Sequence, residues 1–217
     1  MFNFPDPVEL IIRMPVVLLA LTIHEFAHAY AAYRLGDPTA YRQGRCSLNP
    51  LVHLDPLGTL CLMFAPIGWA KPVPINPGNF GKPRRDDLIV SAAGVGSNLV
   101  QAVVFALLVR LLLAKADALG DALDPMLTMA SLGMLINIAL AVFNMLPVFP
   151  LDGYHVTLHL LPLHAQASFE RTRPFGMFVI LGLVMLPMAT DGRISPLSMV
   201  ISPVFNFLVH YVVGVDL

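Results

Sequence analysis

Long apolar runs alternate along this chain with short interruptions rich in proline, glycine and charge, and that pattern predicts a bundle of membrane-spanning helices. The first run begins near Pro7 or Val8, where proline is tolerated in a first helical turn. It stops at Gly36-Asp37-Pro38, a glycine cap followed by a helix breaker. A second helix is expected from Asp86 or Asp87, acids suited to a helix start, to about Lys115, and a third from about Pro125 to Leu146. Two further segments, about Phe175 to Ala189 and about Pro196 to Val213, complete the set, with a loop over Pro162 to Arg173 before them. Between Gly36 and Arg85 the pattern changes. The apolar piece Leu57 to Trp69 is interrupted by Gly58, Pro66 and Gly68, too short for a clean span and more like a re-entrant element. The following Trp69 to Asn76 carries Pro72 and Pro74, which forbid a helix or a central strand but permit an extended edge able to pair with another chain. The expected fold is an all-α polytopic membrane protein, one membrane-embedded domain over residues 1–217, with a small extended or β re-entrant element between the first two long helices.

Composition agrees with burial in lipid. Apolar residues make up 57% and charged residues 12% of the chain, at a mean hydropathy of +0.73, against about 45–50% apolar in soluble domains. The net charge of -1, without any Lys/Arg-rich run, excludes nucleic acid as a partner. Cys46 and Cys61 lack metal or redox spacing and read as free thiols. Basic residues are unevenly shared: Arg34, Arg42, Arg45, Lys71, Lys82, Arg84, Arg85, Arg171 and Arg173 fall on one side of the alternating spans. Arg13, Arg110, Lys115 and Arg193 fall on the other. The richer side is expected to be cytoplasmic.

Within the first apolar run stands His24-Glu25-Phe26-Ala27-His28. Histidines four apart lie on one helix face, so both imidazoles can bind one metal ion while the glutamate reaches water at that ion. Ionisable groups at membrane depth are costly and are functional by default. A catalytic zinc takes three protein ligands and keeps one position open. An extended His-Glu-x-x-His motif with a third histidine would need Gly and His where Ala31 and Arg34 stand, and the only later glutamate, Glu170, lies in a basic segment. Asp152 is the strongest third ligand, with Asp37, Asp55 and His53 as competitors. His155 and His159 read as surface or supporting residues. Asp152 belongs to Asn144-Met145-Leu146-Pro147-Val148-Phe149-Pro150-Leu151-Asp152-Gly153, whose prolines unwind the chain just where the carboxylate is presented.

The pairing of His24-Glu25-x-x-His28 in an early helix with Asn144-x-x-Pro147-x-x-Pro150-Leu151-Asp152-Gly153 in a later one resembles the site-2 protease family of intramembrane zinc metalloproteases. The resemblance covers most of the chain. It implies one zinc ion on His24, His28 and Asp152, Glu25 as general acid/base, and Asn144 as a residue that positions substrate or stabilises the oxyanion. It also implies a transmembrane protein as substrate. No insertion is large enough for a PDZ or CBS module, which suggests a minimal, prokaryotic member in the inner membrane, and the uneven Lys and Arg place both motifs toward the cytoplasmic side. A third family motif, Ala-Gly-Pro-x-x-Asn, is approached at Ala93-Gly94-Val95-Gly96-Ser97-Asn98. Val95 replaces the usual proline, so no catalytic role is carried onto Asn98, and the glycines read as small residues for close helix packing. The competing class is a metal- or proton-translocating transporter, which would distribute its ligands along a path.

Overall fold

The computed structural model describes residues 7–64 and 68–214. Helix α1 runs Pro7–Arg34 and closes on Gly36, whose φ of 105° lets the Asp37 N–H reach back to the Ala32 carbonyl at 2.9 Å. A short α2, Thr39–Arg42, and α3, Pro56–Phe64, follow. Nine residues of helix rise only about 14 Å, so α3 does not span. The Asp55 carboxylate accepts the Gly58 N–H at 2.8 Å and opens this helix. The remainder of the predicted re-entrant piece, residues 65–67, lies outside the described residues.

Among the described residues the expected element takes its extended form and not its β form. Among the described residues there is no strand, only an isolated antiparallel bridge between Leu54 and Ala70. The reason lies in where the backbone donors go. Lys71 N–H bonds the His53 carbonyl at 2.8 Å, but Val73 N–H turns to Glu25 and Asn76 N–H to Asp37. Pro72, Pro74 and Pro77 have no N–H to give. The segment is therefore extended and tied to α1 and the turn after it by the side chains of Glu25 and Asp37 rather than by a ladder.

Helix α4, Pro83–Ala114, starts with proline in its first turn, a few residues earlier than expected. Asp86 sits inside that turn and its carboxylate accepts the Lys82 N–H at 2.8 Å. A short α5, Ala116–Leu119, leads to α6, Leu123–Asn144. After the proline break come α7, Asp152–Leu160, and α8, Leu163–Glu170. The loop expected over Pro162 to Arg173 thus contains a helix: Leu163, Ala165, Gln166 and Ala167 are ordinary helix formers behind a proline that only sets the start. Helix α9, Gly176–Ala189, and α10, Pro196–Leu208, complete the chain, the last continuing as a π turn over Val209–Val213.

Among the described residues, five segments are long and apolar enough to cross a membrane: Leu10–Arg34, Pro83–Ala114, Ala116–Asn144, Leu163–Ala189 and Pro196–Val213. Helix α4 is central, packing against α6, α1 and α7. Its small residues allow this: Ala102 and Ala106 join Ala130, Met134 and Ile138 of α6 in a buried cluster. At Gly133 a Cβ would stand 2.6 Å from the Phe105 ring. The opposite face of α4, with Val100, Val104, Leu107 and Leu111, is exposed and apolar, as a lipid-facing surface is.

Candidate active site

His24 and His28 lie one turn apart on α1 and are buried, while the first turn of α7 brings Asp152 against them. The two Nε2 atoms are 3.0 Å apart, and each lies 3.3 Å from Asp152 Oδ2. Zinc–nitrogen and zinc–oxygen bonds of about 2.0–2.2 Å at tetrahedral angles put neighbouring ligand atoms about 3.3–3.5 Å apart. The three donors already stand near that spacing. Asp152 Oδ2 is buried and makes no hydrogen bond, which a cation between the three groups would remedy. The residues therefore fit a zinc ion on an observation independent of any motif.

The other ring nitrogens are spoken for. His24 Nδ1–H donates to Asn98 Oδ1 at 2.6 Å, and His28 Nδ1–H donates to the Val90 carbonyl at 2.8 Å. These acceptors select the tautomer whose Nε2 lone pairs point at the centre. Asn98 is fully buried, and its amide donates to Asn137 Oδ1 at 2.8 Å. Asn137 in turn donates to the Gly133 carbonyl at 2.9 Å. An unbroken chain thus runs from the α6 backbone to the ring of His24. Gly94 supplies the room: a Cβ there would stand 2.3 Å from His28 Nε2 and 2.7 Å from His24 Cε1. The expected close packing at Gly94 is packing of a helix backbone against two imidazoles.

Glu25, half-buried, accepts the Val73 N–H through Oε2 at 3.1 Å. It lines a cavity of about 330 Å³ together with His24, His28 and Asp152, and with Asn144 from the end of α6 and Ile75 from the extended segment. Asn144 donates to Leu140 O of its own helix at 3.0 Å. The break that follows brings α7 close under α6. At Gly153 a Cβ would stand 2.2 Å from the Met145 carbonyl oxygen, so the glycine after Asp152 is what lets the carboxylate enter the site.

The competitors are occupied elsewhere. Asp37 is fully buried and accepts from Asn76 N–H and Asn79 Nδ2, each at 2.7 Å, and from Thr39. Burial would raise its pKa, yet these donors bring it below the ordinary carboxylate value. His53 Nε2–H donates to the Ser47 carbonyl at 2.8 Å, and Asp55 caps α3. His155 and His159 turn to Asp87. Asn98 and Asn137 were not singled out as supports by sequence reasoning. The available signal was an uncharged polar residue in the middle of each of two apolar helices, which costs free energy unless partnered.

A membrane helix bundle carrying two histidines, a carboxylate and an adjacent glutamate at one centre defines the class of membrane zinc metalloproteases. The chain belongs to peptidase family M50, the site-2 protease family. Residues 113–187 match the family's profile, a stretch that contains Asp152 but not His24 or His28. The chain is 39% identical over 192 residues to a Bacillus subtilis protein, YwhC, named as a zinc metalloprotease, covering 84% of this chain and 88% of that one. It is 33% identical over 182 residues to Rip2 of Mycolicibacterium smegmatis, likewise so named, covering 78% of this chain and 65% of the relative. Rip2 of Mycobacterium tuberculosis H37Rv shows 33% identity over 179 residues with the same coverage. No solved structure matches. The protein is a multi-pass membrane zinc metalloprotease, a hydrolase with Zn2+ as cofactor.

Proposed function

We propose that this protease cuts peptide bonds within or beside the transmembrane segments of other membrane proteins, with zinc held by His24, His28 and Asp152. The observation that carries the reading is the convergence of three donors, one an orphaned carboxylate oxygen, beside a cavity in a bundle of apolar helices. Zinc bound there supplies Lewis acidity toward a peptide carbonyl and toward water. Glu25 accepts the proton of the attacking water and delivers it to the leaving amine. Its Oε2 is oriented by the Val73 N–H, which leaves Oε1 for that transfer. Asn144 borders the cavity and positions the substrate backbone there.

A substrate helix hides its carbonyls in its own hydrogen bonds, so it must unwind before one can reach the centre. The opened backbone then needs partners. Val73 and Ile75 on the cavity wall support the extended segment 69–76 as the place where they are found. Helix-weakening residues near the cut favour cleavage for the same reason. The excess of Lys and Arg in segments 34–85 and 171–173 supports a site near the cytoplasmic face of a prokaryotic inner membrane.

The test is cleavage of a single-span reporter by the purified protein in liposomes, with the cut mapped by mass spectrometry. A cut inside or at the edge of the apolar segment is expected. Cleavage confined to soluble loops, or none by an enzyme that hydrolyses soluble peptides, would overturn the reading.

A further inference from the structure

A second donor set stands one turn from the first. His155 and His159, four apart on α7 and so on one face, both point at Asp87 in the first turns of α4. His159 Nε2 lies 2.6 Å from Asp87 Oδ2, and His155 Nδ1 lies 3.3 Å from the same oxygen. All three donor atoms fall within 4.8 Å of one another. The set repeats the composition of the active site, two histidines at helical spacing and one aspartate from another helix. Asp87 is buried, at 8% exposure, whereas the His155 side chain is 40% exposed.

We propose that Asp87, His155 and His159 form a second, weaker binding site for a divalent cation of the zinc class, on the wall of the catalytic cavity. Three protein donors of these types are what a solvent-accessible zinc site takes, with water completing the shell. Of the two edges that meet at Asp87 Oδ2, one already equals the edge of a zinc tetrahedron and the other must open by less than about 1 Å, while the edge between the two imidazoles is within 4.8 Å. His159 stands in the last turn of α7, where a side chain can make that adjustment. Asp87 and His155 line the same cavity of about 330 Å³ as the catalytic donors, so a cation reaches both sites from one body of water. The neighbouring guanidinium groups do not occupy the carboxylate. Arg84 donates to the carbonyls of His159 and Leu161, both at 2.8 Å, and Arg85 pairs with Asp86 at 2.8 Å.

The same geometry explains why this site is the weaker of the two. Asp152 Oδ2 makes no hydrogen bond that a cation must replace, whereas Asp87 Oδ2 is already held by imidazoles. A cation here must displace those contacts, and the exposed His155 loses hydration to ligate. The second equivalent fills only after the first, and we expect its dissociation constant to be larger by about 10- to 100-fold, the range that the loss of supporting bonds costs a metal site.

The test is a zinc titration of the full-length protein in detergent after chelator treatment, read as bound equivalents and repeated with Co2+ by absorption spectroscopy. Wild type should bind two equivalents, the second removed by a weak chelator that leaves the first. Asp87→Asn and His159→Ala should each bind one. Asp152→Ala should lose the tight equivalent and keep the weak one, which separates failure of this proposal from failure of the catalytic assignment. Retention of the tight equivalent and of the helical circular dichroism shows that a variant is folded. His159→Ala, at the end of a short helix, serves if Asp87→Asn does not fold. Saturation of wild type at one equivalent would mean that the cluster is an ion pair only, and two equivalents surviving in the folded variants would place the second cation elsewhere. Either result overturns the proposal.

Discussion

Adding one methyl group at Gly94 should empty the catalytic centre without unfolding the protein. The new Cβ would lie 2.3 Å from His28 Nε2, 2.5 Å from His28 Cε1 and 2.7 Å from His24 Cε1. Unstrained contacts of this kind sit at about 3.5 Å or more, so the His28 ring must retreat by about 1 Å. It cannot do so freely, because its Nδ1 is bonded to the Val90 carbonyl on the same helix that carries the intruding methyl. Overpacking of this size costs about 1–3 kcal/mol, which a membrane helix bundle of this size can absorb. A metal ligand, by contrast, tolerates displacement of only about 0.2 Å. The metal site therefore fails first. We expect Gly94→Ala to lower zinc affinity by about 100-fold, as much as the largest losses from disturbed supporting bonds, with thermal unfolding lowered by only a few degrees. Chelator competition measures the first effect and a thermal shift assay in detergent the second. Gly96→Ala is the control, since nothing lies within 4 Å of a Cβ there, and it should match wild type. Full zinc occupancy and turnover in Gly94→Ala would refute the placement of α4 against the two imidazoles.

Asn98→Ala removes the acceptor that fixes His24 and should weaken zinc binding about 10- to 100-fold, measured by chelator competition, while Asn98→Asp restores an acceptor and should recover part of it. Asp37 has a carboxyl held below its ordinary value when folded, so its stabilising contribution is present above the unfolded pKa of about 3.9 and is lost as pH falls through the lower folded value. Asp37→Asn should therefore show a shallower loss of stability below about pH 4, measured by thermal unfolding across pH; an unchanged slope would contradict the assignment. Cysteines at Val73 or Ile75 should cross-link to an uncleaved substrate trapped on Glu25→Gln, and efficient cross-links only from elsewhere in the cavity would remove the extended segment from the substrate path.

The spans were legible because a membrane demands long apolar runs and the helix ends carry Gly36, Pro196 and the acids Asp86 and Asp87, although the last of these signals set the start of α4 a few residues late. The two motifs were legible because His24, Glu25, His28 and Asp152 are charged or ionisable groups in apolar surroundings. What could not be read was the use of the backbone. Nothing local marks that the Val73 N–H will be spent on Glu25 and the Asn76 N–H on Asp37 in place of a β ladder. Helix α8 was hidden because the proline and arginines around it outweighed the weak preference of eight residues. Asn98 was passed over because a departure at Val95 was allowed to count against it. Its role depends on α1 lying across α4 at His24, a tertiary fact with no signature in either segment alone.

The central claim is a zinc centre at His24, His28 and Asp152 served by Glu25, and it is met most directly by measuring zinc content and turnover together in Glu25→Gln. Glutamine retains an oxygen for the Val73 N–H but accepts no proton, so the variant should keep one tightly bound zinc and the wild-type fold. It should cleave the membrane-embedded reporter at no measurable rate. Turnover at a wild-type rate in this zinc-loaded variant would contradict the account.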